Sequence, residues 1–150
     1  MARTLTPLFA ALLLATAPMT YAAPLAEAAA PSSTQEKVVY HVNDSANAMA
    51  ALRNIKNHLN AAPNARISVV THGPGIDFLL ADAADKNGNP YEPAVQDLKA
   101  KGVDFRVCNN TLKSRKLDAS AVLAEATVVP SGVAEIGKLQ AQEGYVYLKP

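Results

Sequence analysis

Five short runs of strand-forming residues recur along the chain, separated by segments with helical spacing. The predicted strands cover residues 37–42, 66–72, 103–108, 127–130 and 145–148. In the third of these, apolar Val103, Phe105 and Val107 alternate with polar residues, which is the period of a strand. The first is almost continuously apolar, which is typical of a parallel strand covered on both faces.

The segments between the strands carry apolar residues at helical spacing. Over residues 46–61, Met49, Leu52, Ile55 and Leu59 recur at steps of three and four, which places them on one face of a helix. Further helical segments are predicted over residues 76–84, 93–101, 112–117 and 118–123, and from Ser131 toward Gly144. Strands therefore alternate with helices along the whole chain.

This alternation predicts a single α/β domain with a doubly wound, mainly parallel sheet. Right-handed crossovers would place helices on both faces of the five strands, giving a flavodoxin-like three-layer sandwich. We expect the strand order 2-1-3-4-5. A chain of 150 residues has room for one such domain.

The N-terminal segment has the features of a secretory signal peptide. Arg3 precedes an apolar run over residues 8–17, and Thr20 and Ala22 supply small residues before a cleavage point after Ala22. The run is too short to span a membrane. We therefore expect a signal peptide (1–22), a flexible linker (23–36) and an α/β domain (37–150), with periplasmic or otherwise exported localisation. A structural helix and an uncleaved signal anchor are the alternatives.

Charge and aromatic content argue against nucleic-acid binding. The chain has a formal net charge of +1 and no Trp, and basic residues are not clustered. One Cys and three His without paired ligand spacing give no recognisable metal site, and no cofactor is expected.

Polar residues follow the predicted strands at the ends where a doubly wound sheet binds ligands. They are Asn43 after strand one, His72 and Gly73 after strand two, Cys108, Asn109 and Asn110 after strand three, and Ser131 and Gly132 after strand four. In order 2-1-3-4-5 the topological switch lies between strands one and three. Asn43 and Cys108 would then be the closest neighbours, with His72 one strand further away.

Cys108 is the only cysteine, so it cannot form an internal disulfide. It is therefore a buried inert residue, a partner in an interchain bond or a reactive thiol. Backbone amides of the following turn would stabilise its thiolate, which could carry sulfur as a persulfide. His72 and, secondarily, His41 are the imidazoles that could assist. His58 is expected to be partly exposed, and Ser131 to be a helix cap.

Five segments in order carry a resemblance to a known family. They read VYHVND (39–44), VVTHGPG (69–75), FRVCNNTL (105–112), VPSGVAE (129–135) and QEGYVYLKP (142–150). Together they cover nearly the whole domain. In these segments the chain resembles the DsrE/DsrF-like family, and more closely its small single-domain branch with a signal peptide.

The resemblance implies a flavodoxin-like fold, assembly into homotrimers or homohexamers, and a single cysteine that carries persulfide sulfur, here Cys108. It suggests a periplasmic sulfur carrier of sulfurtransferase type that works in a sulfur relay with a donor or acceptor protein. The alternative is a non-catalytic oligomeric module that binds a small ligand or a partner at the same edge. Replacing Cys108 with Ser would separate them, because only sulfur transfer needs the thiol.

Overall fold

The computed structural model describes residue 1 and residues 35–150. The strands are β1 (Lys37–Val42), β2 (Arg66–Thr71), β3 (Asp104–Cys108), β4 (Ala126–Val129) and β5 (Val146–Leu148). The helices are α1 (Ala48–Ala61), α2 (Glu92–Ala100), α3 (Asn109–Ser114) and α4 (Gly132–Glu143). The predicted signal peptide, apart from residue 1, and the predicted linker up to residue 34 lie outside the described residues.

All five strands are parallel and form one sheet in the order β4-β3-β2-β1-β5. The register aligns the strand ends, since Val42 pairs with Thr71 and Thr71 pairs with Val107. On the other side, Cys108 pairs with Val129 of β4. The carboxyl ends of β1 to β4 therefore meet along one edge of the sheet.

Helices cover both faces of the sheet. On one face, Val38, Tyr40 and Val42 of β1 belong to an apolar cluster that also contains residues from α1, α2 and α3. On the other face, a smaller cluster joins β1 and β2 to α4, and its members are Val39, Val70, Ile136, Leu139 and Tyr145. Successive strand residues point to opposite faces, so this division gives three layers. The predicted α/β fold class is confirmed.

The predicted strand order, 2-1-3-4-5, is corrected to 4-3-2-1-5. The connections from β1 through to β4 all pack on the same face, and right-handed crossovers on one face must step in one direction. The α4 helix crosses the opposite face and returns the chain to the free side of β1. The face on which each connection packs determines this order, and hydrophobic spacing does not encode it.

The region predicted as a helix over residues 76–84 folds differently. A 3-10 segment covers Gly73–Leu79, and the chain then becomes extended at Leu80. The backbone there bonds to a distant segment: Ala81 N–H donates to the Ala121 carbonyl over 2.8 Å, and Leu123 N–H to the Leu79 carbonyl over 2.9 Å. These long-range hydrogen bonds within the chain take the place of helical hydrogen bonds at Leu79 and Ala81. The prediction of a helix from apolar spacing was therefore wrong here, because the backbone pairs with a distant segment instead.

The second predicted helical segment after β3 is also corrected. The helix predicted over 118–123 is a 3-10 turn, Ala119–Ala121, and the chain is extended at Val122. The first segment, predicted over 112–117, begins earlier, because α3 starts at Asn109. The helix therefore follows Cys108 without an intervening loop.

His58 ties the end of α1 to the start of β1. Its Nδ1 lies 2.9 Å from Tyr40 Oη and its Nε2 lies 2.9 Å from Glu36 Oε1. The side chain is 15% exposed, in line with the expected partly exposed packing.

No helix within residues 35–150 is long and apolar enough to cross a membrane.

Gly75 is predicted to be essential for stability, because the 3-10 segment lies directly against the end of β1. A Cβ at this position would lie 2.6 Å from the Val42 carbonyl carbon and 2.7 Å from Asn43 Cα. We expect Gly75→Ala to lower the free energy of unfolding by about 3 kcal/mol, because backbone atoms would have to move.

Gly137 provides the matched control. It is exposed in α4, and a Cβ there would meet no atom within 4 Å. Gly137→Ala should raise the free energy of unfolding by about 1 kcal/mol through helix propensity. Denaturant titration of both variants measures the difference, and equal effects would contradict the close approach at Gly75.

Candidate functional site

Cys108 is the last residue of β3 and the residue that precedes α3. It is 4% exposed, yet it belongs to neither apolar cluster of the core. The side chain lies on the α4 face, since it is two residues from Arg106, which pairs with Glu135 of α4. Its surroundings are therefore polar as well as buried.

Burial raises the pKa of the Cys108 thiol, but four nearby polar groups outweigh it, so the pKa is lowered from the usual thiol value. These groups are the backbone N–H groups of Gly132, Thr111 and Asn110 and the Thr111 hydroxyl. We call them, together with the thiol, the Cys108 pocket. The arrangement favours the anion, which is the nucleophilic form of cysteine.

The Thr111 hydroxyl is oriented by a second bond. Gly73 N–H donates to Thr111 Oγ1 over 2.9 Å, so the hydroxyl proton is free to point toward Cys108. Thr111 is 8% exposed. The loop after β2 thus fixes a donor to the thiol at the end of β3.

Gly132 brings the first residue of α4 against the strand ends. A Cβ there would lie 2.9 Å from the Thr71 carbonyl oxygen and 3.2 Å from the Cβ atoms of both Cys108 and His72. A larger residue would push α4 away from the sheet. Glycine therefore allows the backbone N–H of α4 to reach the thiol.

An ion-pair network holds α4 in this position. The Arg106 guanidinium pairs with Asp104 on its own strand at 2.6 Å and with Glu135 in the first turn of α4. The Arg106 and Glu135 side chains are 17% and 13% exposed. An ion pair this far removed from solvent is screened little by salt.

Two histidines and a tyrosine form a hydrogen-bonded chain beside this pocket. His41 Nε2 lies 2.7 Å from His72 Nε2, and His41 Nδ1 lies 2.6 Å from Tyr147 Oη. The pKa of His41 is lowered by burial and by the nearby His72 and Lys149. His41 is thus linked to His72 and is not an isolated core histidine.

The structure brings several of the predicted site residues to Cys108. His72 and Gly132 lie beside it, and Gly73 and Asn110 act through their backbone N–H groups. The predicted neighbour Asn43 is not among them, because β2 separates the end of β1 from β3. Asn43 contacts Gly75 instead.

The topological switch point also differs from the predicted one. The connection after β3 packs on one face, whereas α4 follows β4 on the other, so the switch lies between β3 and β4. Cys108 still lies beside it, but its neighbours are Gly132 and His72.

The other predicted residues have local roles. Asn109 is the first residue of α3 and is partly buried. Ser131 caps α4, accepting the Ala134 N–H at Oγ over 3.3 Å, as the sequence predicted. No group of three His, Cys, Asp or Glu side chains within the described part of the chain is arranged to hold a metal ion.

Thr111 and Tyr147 were missed as site residues. Thr111 follows Cys108 by three residues in the first turn of a helix, so its spacing could have identified it. Tyr147 contacts His41 only because β5 pairs with β1, and that pairing requires the correct strand order.

We predict that alkylation of Cys108 by iodoacetamide rises with pH around a midpoint below about 8.5, the usual pKa of a thiol. Thr111→Val removes one donor and should raise this midpoint. Thr111→Ser keeps the hydroxyl and should restore it. Thr127→Val, at an exposed strand position, is the control. A midpoint that is the same in Thr111→Val would show that the hydroxyl does not act on the thiol.

Comparison with known proteins agrees with this fold. The chain is similar to a protein of unknown function, MTH1491, from Methanobacterium thermoautotrophicum, with 30% identity and a TM-score of 0.69 over 77% of this chain and all of that one. It is also similar in fold to the ychN protein from E. coli, with 13% identity and a TM-score of 0.65 over the same shares. No curated protein matches the chain.

The model of the DsrE/DsrF-like family matches residues 25–150, which include every described strand and helix. That span contains the Cys108 pocket and the histidine chain beside it. The protein belongs to the DsrE/DsrF-like family.

Proposed function

We propose that the protein is a carrier of sulfane sulfur and that Cys108 holds the sulfur as a persulfide. The observation that carries this proposal is the position of one buried thiol at the end of β3, directly against the first residue of α4, where nearby backbone N–H groups and the Thr111 hydroxyl lower its pKa. A core cysteine has no need of such donors, and in apolar surroundings its pKa would rise. Family membership supports the same class of function.

Sulfur transfer needs a thiolate that can attack and leave. The Cys108 thiolate attacks the outer sulfur of a donor persulfide, and a new bond forms between Sγ and that sulfur. The S–S bond of the donor breaks, and its electron pair stays on the donor, which departs as a thiol or thiolate. No external oxidant or reductant is needed. Because a low pKa makes a better leaving group, the same donors favour release of the sulfur.

The close contacts around Cys108 favour a small cargo. The outer sulfur of a persulfide lies about 2 Å beyond Sγ. Gly132 lies so close to the Cys108 and His72 side chains that even a Cβ there would be crowded. Larger ligands would have to displace α4, which the Arg106 ion pairs hold in place.

We propose further that the carrier works outside the cytoplasm. Support comes from the sequence of residues 1–22, which has a basic start, an apolar run and small residues at the expected cleavage point. The sulfur would then pass between this protein and a donor or acceptor protein in the same compartment.

The test is to incubate the protein with a low-molecular-weight alkyl persulfide and measure the intact mass. We expect a gain of one sulfur atom on Cys108, removed by a reducing thiol. Cys108→Ser should gain none, and Thr111→Val should load more slowly at neutral pH because less thiolate is present.

Gly137→Ala is the control for a remote change in α4. A wild-type thiol that is alkylated by iodoacetamide but never gains sulfur would contradict the carrier function. That result would favour the non-catalytic binding module.

We also propose that the protein forms a homo-oligomer, a trimer or hexamer, through the free side of β5. The strand lies at the edge of the sheet, and its residues Val146 and Leu148, which point to the face opposite Tyr147, are 61% and 39% exposed. An exposed apolar edge strand is a surface that pairs readily with another chain.

Light scattering should give a solution mass of three or six chains for the wild type. Val146→Glu should shift the mass toward the monomer, because a charge would be buried at the contact. Met49→Glu, at an exposed apolar position on α1, should leave it unchanged. A monomeric wild type would contradict the assembly and leave the carrier function unaffected.

A further inference from the structure

The chain of hydrogen bonds through Tyr147, His41 and His72 has a distinctive feature: two Nε2 atoms face each other at 2.7 Å. A hydrogen bond between two imidazole nitrogens contains one proton, so one Nε2 donates and the other accepts. The same holds for the 2.6 Å contact between His41 Nδ1 and Tyr147 Oη. The direction of one bond therefore fixes the direction of the other when both rings are neutral.

Two neutral arrangements of the chain follow. In the first, Tyr147 donates to His41 Nδ1, His41 Nε2–H donates to His72 Nε2, and His72 carries its proton on Nδ1. In the second, every bond is reversed, and His72 Nδ1 is bare. Changing from the first to the second releases one proton at His72 Nδ1 and takes up one at the Tyr147 hydroxyl. Neither histidine becomes an imidazolium in the net change.

We propose that Tyr147, His41 and His72 form a proton-transfer chain that links solvent to the Cys108 pocket. The geometry supports both ends of this path. Tyr147 is 37% exposed, so its hydroxyl can exchange protons with water. At the inner end, the Cβ atoms of His72 and Cys108 each lie 3.2 Å from the position of a Cβ on Gly132.

The orientation of His72 fits this role. Its Nε2 is bonded to His41, which leaves Nδ1, the ring nitrogen nearer to its own backbone, as the other nitrogen that can carry a proton. Because Thr71 pairs with Val107, the next residues of the two strands, His72 and Cys108, follow at the same level.

The inference rests on the proposed function, because sulfur transfer requires such a proton. A donor persulfide is anionic near neutral pH, so the Cys108 thiolate and the donor repel each other. In the balanced step, the thiolate, the R–S–S⁻ donor and one proton from the chain give Cys108–S–S⁻ and R–SH. The Sγ–S bond forms, the R–S bond breaks, and the departing sulfur takes the proton. When the outer sulfur passes to an acceptor thiol, one proton returns to the hydrogen-bonded chain of Tyr147, His41 and His72.

The surroundings of His41 favour the neutral form of the imidazole at the centre of the proton-transfer chain. Burial lowers the pKa of His41 most, and the nearby His72 and Lys149 lower it further. Tyr147 is its other neighbour. An imidazolium at the centre of the chain would block transfer, since it has no free lone pair.

The first experiment compares two reactions of Cys108 at neutral pH. Sulfur uptake from an alkyl persulfide consumes a proton, whereas iodoacetamide alkylation of the thiolate does not. We expect His41→Gln and Tyr147→Phe to slow sulfur uptake by about tenfold or more while changing the alkylation rate less than twofold. Uptake by the wild type should slow in D₂O, and added imidazole should partly restore His41→Gln.

His58→Gln and Tyr40→Phe are the matched controls, because this histidine and tyrosine form a similar bond on the opposite face of β1. They should leave both rates unchanged. Equal loss of uptake and alkylation in His41→Gln would overturn the proposal and assign His41 a structural role. Unchanged uptake in that variant would overturn it as well.

A second experiment needs no sulfur transfer, so it separates this inference from the carrier function. Nitrogen-15 NMR of the wild-type histidine side chains should find one proton shared between the two Nε2 atoms, and Tyr147→Phe should shift the tautomer balance of both His41 and His72. Independent tautomers would overturn the chain even if sulfur loads. Coupled tautomers in a protein that takes up no sulfur would leave the chain intact and contradict only the carrier.

Discussion

The close approach of α4 to the ends of β2 and β3 is the contact on which the site depends. It is possible because residue 132 is glycine, with Thr71, His72 and Cys108 all within contact distance of its missing side chain. The approach places the backbone of Gly132 directly against the Cys108 side chain. Everything proposed for Cys108 follows from this contact, because without it the thiol would be buried with fewer donors and its pKa would move upward.

The sheet supplies the second constraint. Parallel strands in register bring Cys108 and His72 to the same level, and β1 adds His41 one strand further along. The returning strand β5 then places Tyr147 beside His41. The thiol, the two imidazoles and the phenol thus come from four different strands of one sheet.

Much of this could be predicted from the sequence. Alternation of Val103, Phe105 and Val107 gave the strand that ends at Cys108, and the general rule for doubly wound sheets placed the thiol at a switch point. The cap at Ser131 was also predictable, because a hydroxyl before an apolar helical pattern is a strong local signal. These features depend on neighbours in sequence.

The features that could not be predicted depend on tertiary contacts. The strand order follows from which face each connection covers, and the error there placed Asn43 beside Cys108 and hid the contact of Tyr147 with His41. The segment after Gly73 was predicted as a helix, but its backbone pairs with residues 121–123. Gly132 was predicted as part of the pocket, yet only the structure gives the reason. A Cβ at this position would be too close to Thr71, Cys108 and His72.

The central claim is that the fold lowers the pKa of a buried thiol. Titration of the ultraviolet thiolate absorbance of native protein, with Cys108→Ser as the blank, tests it directly against the same protein in denaturant. We expect the native thiol to ionise at lower pH than the unfolded one, because the donors around Sγ outweigh burial. A native thiol that ionises at the same pH as the unfolded thiol, or at higher pH, would contradict the account.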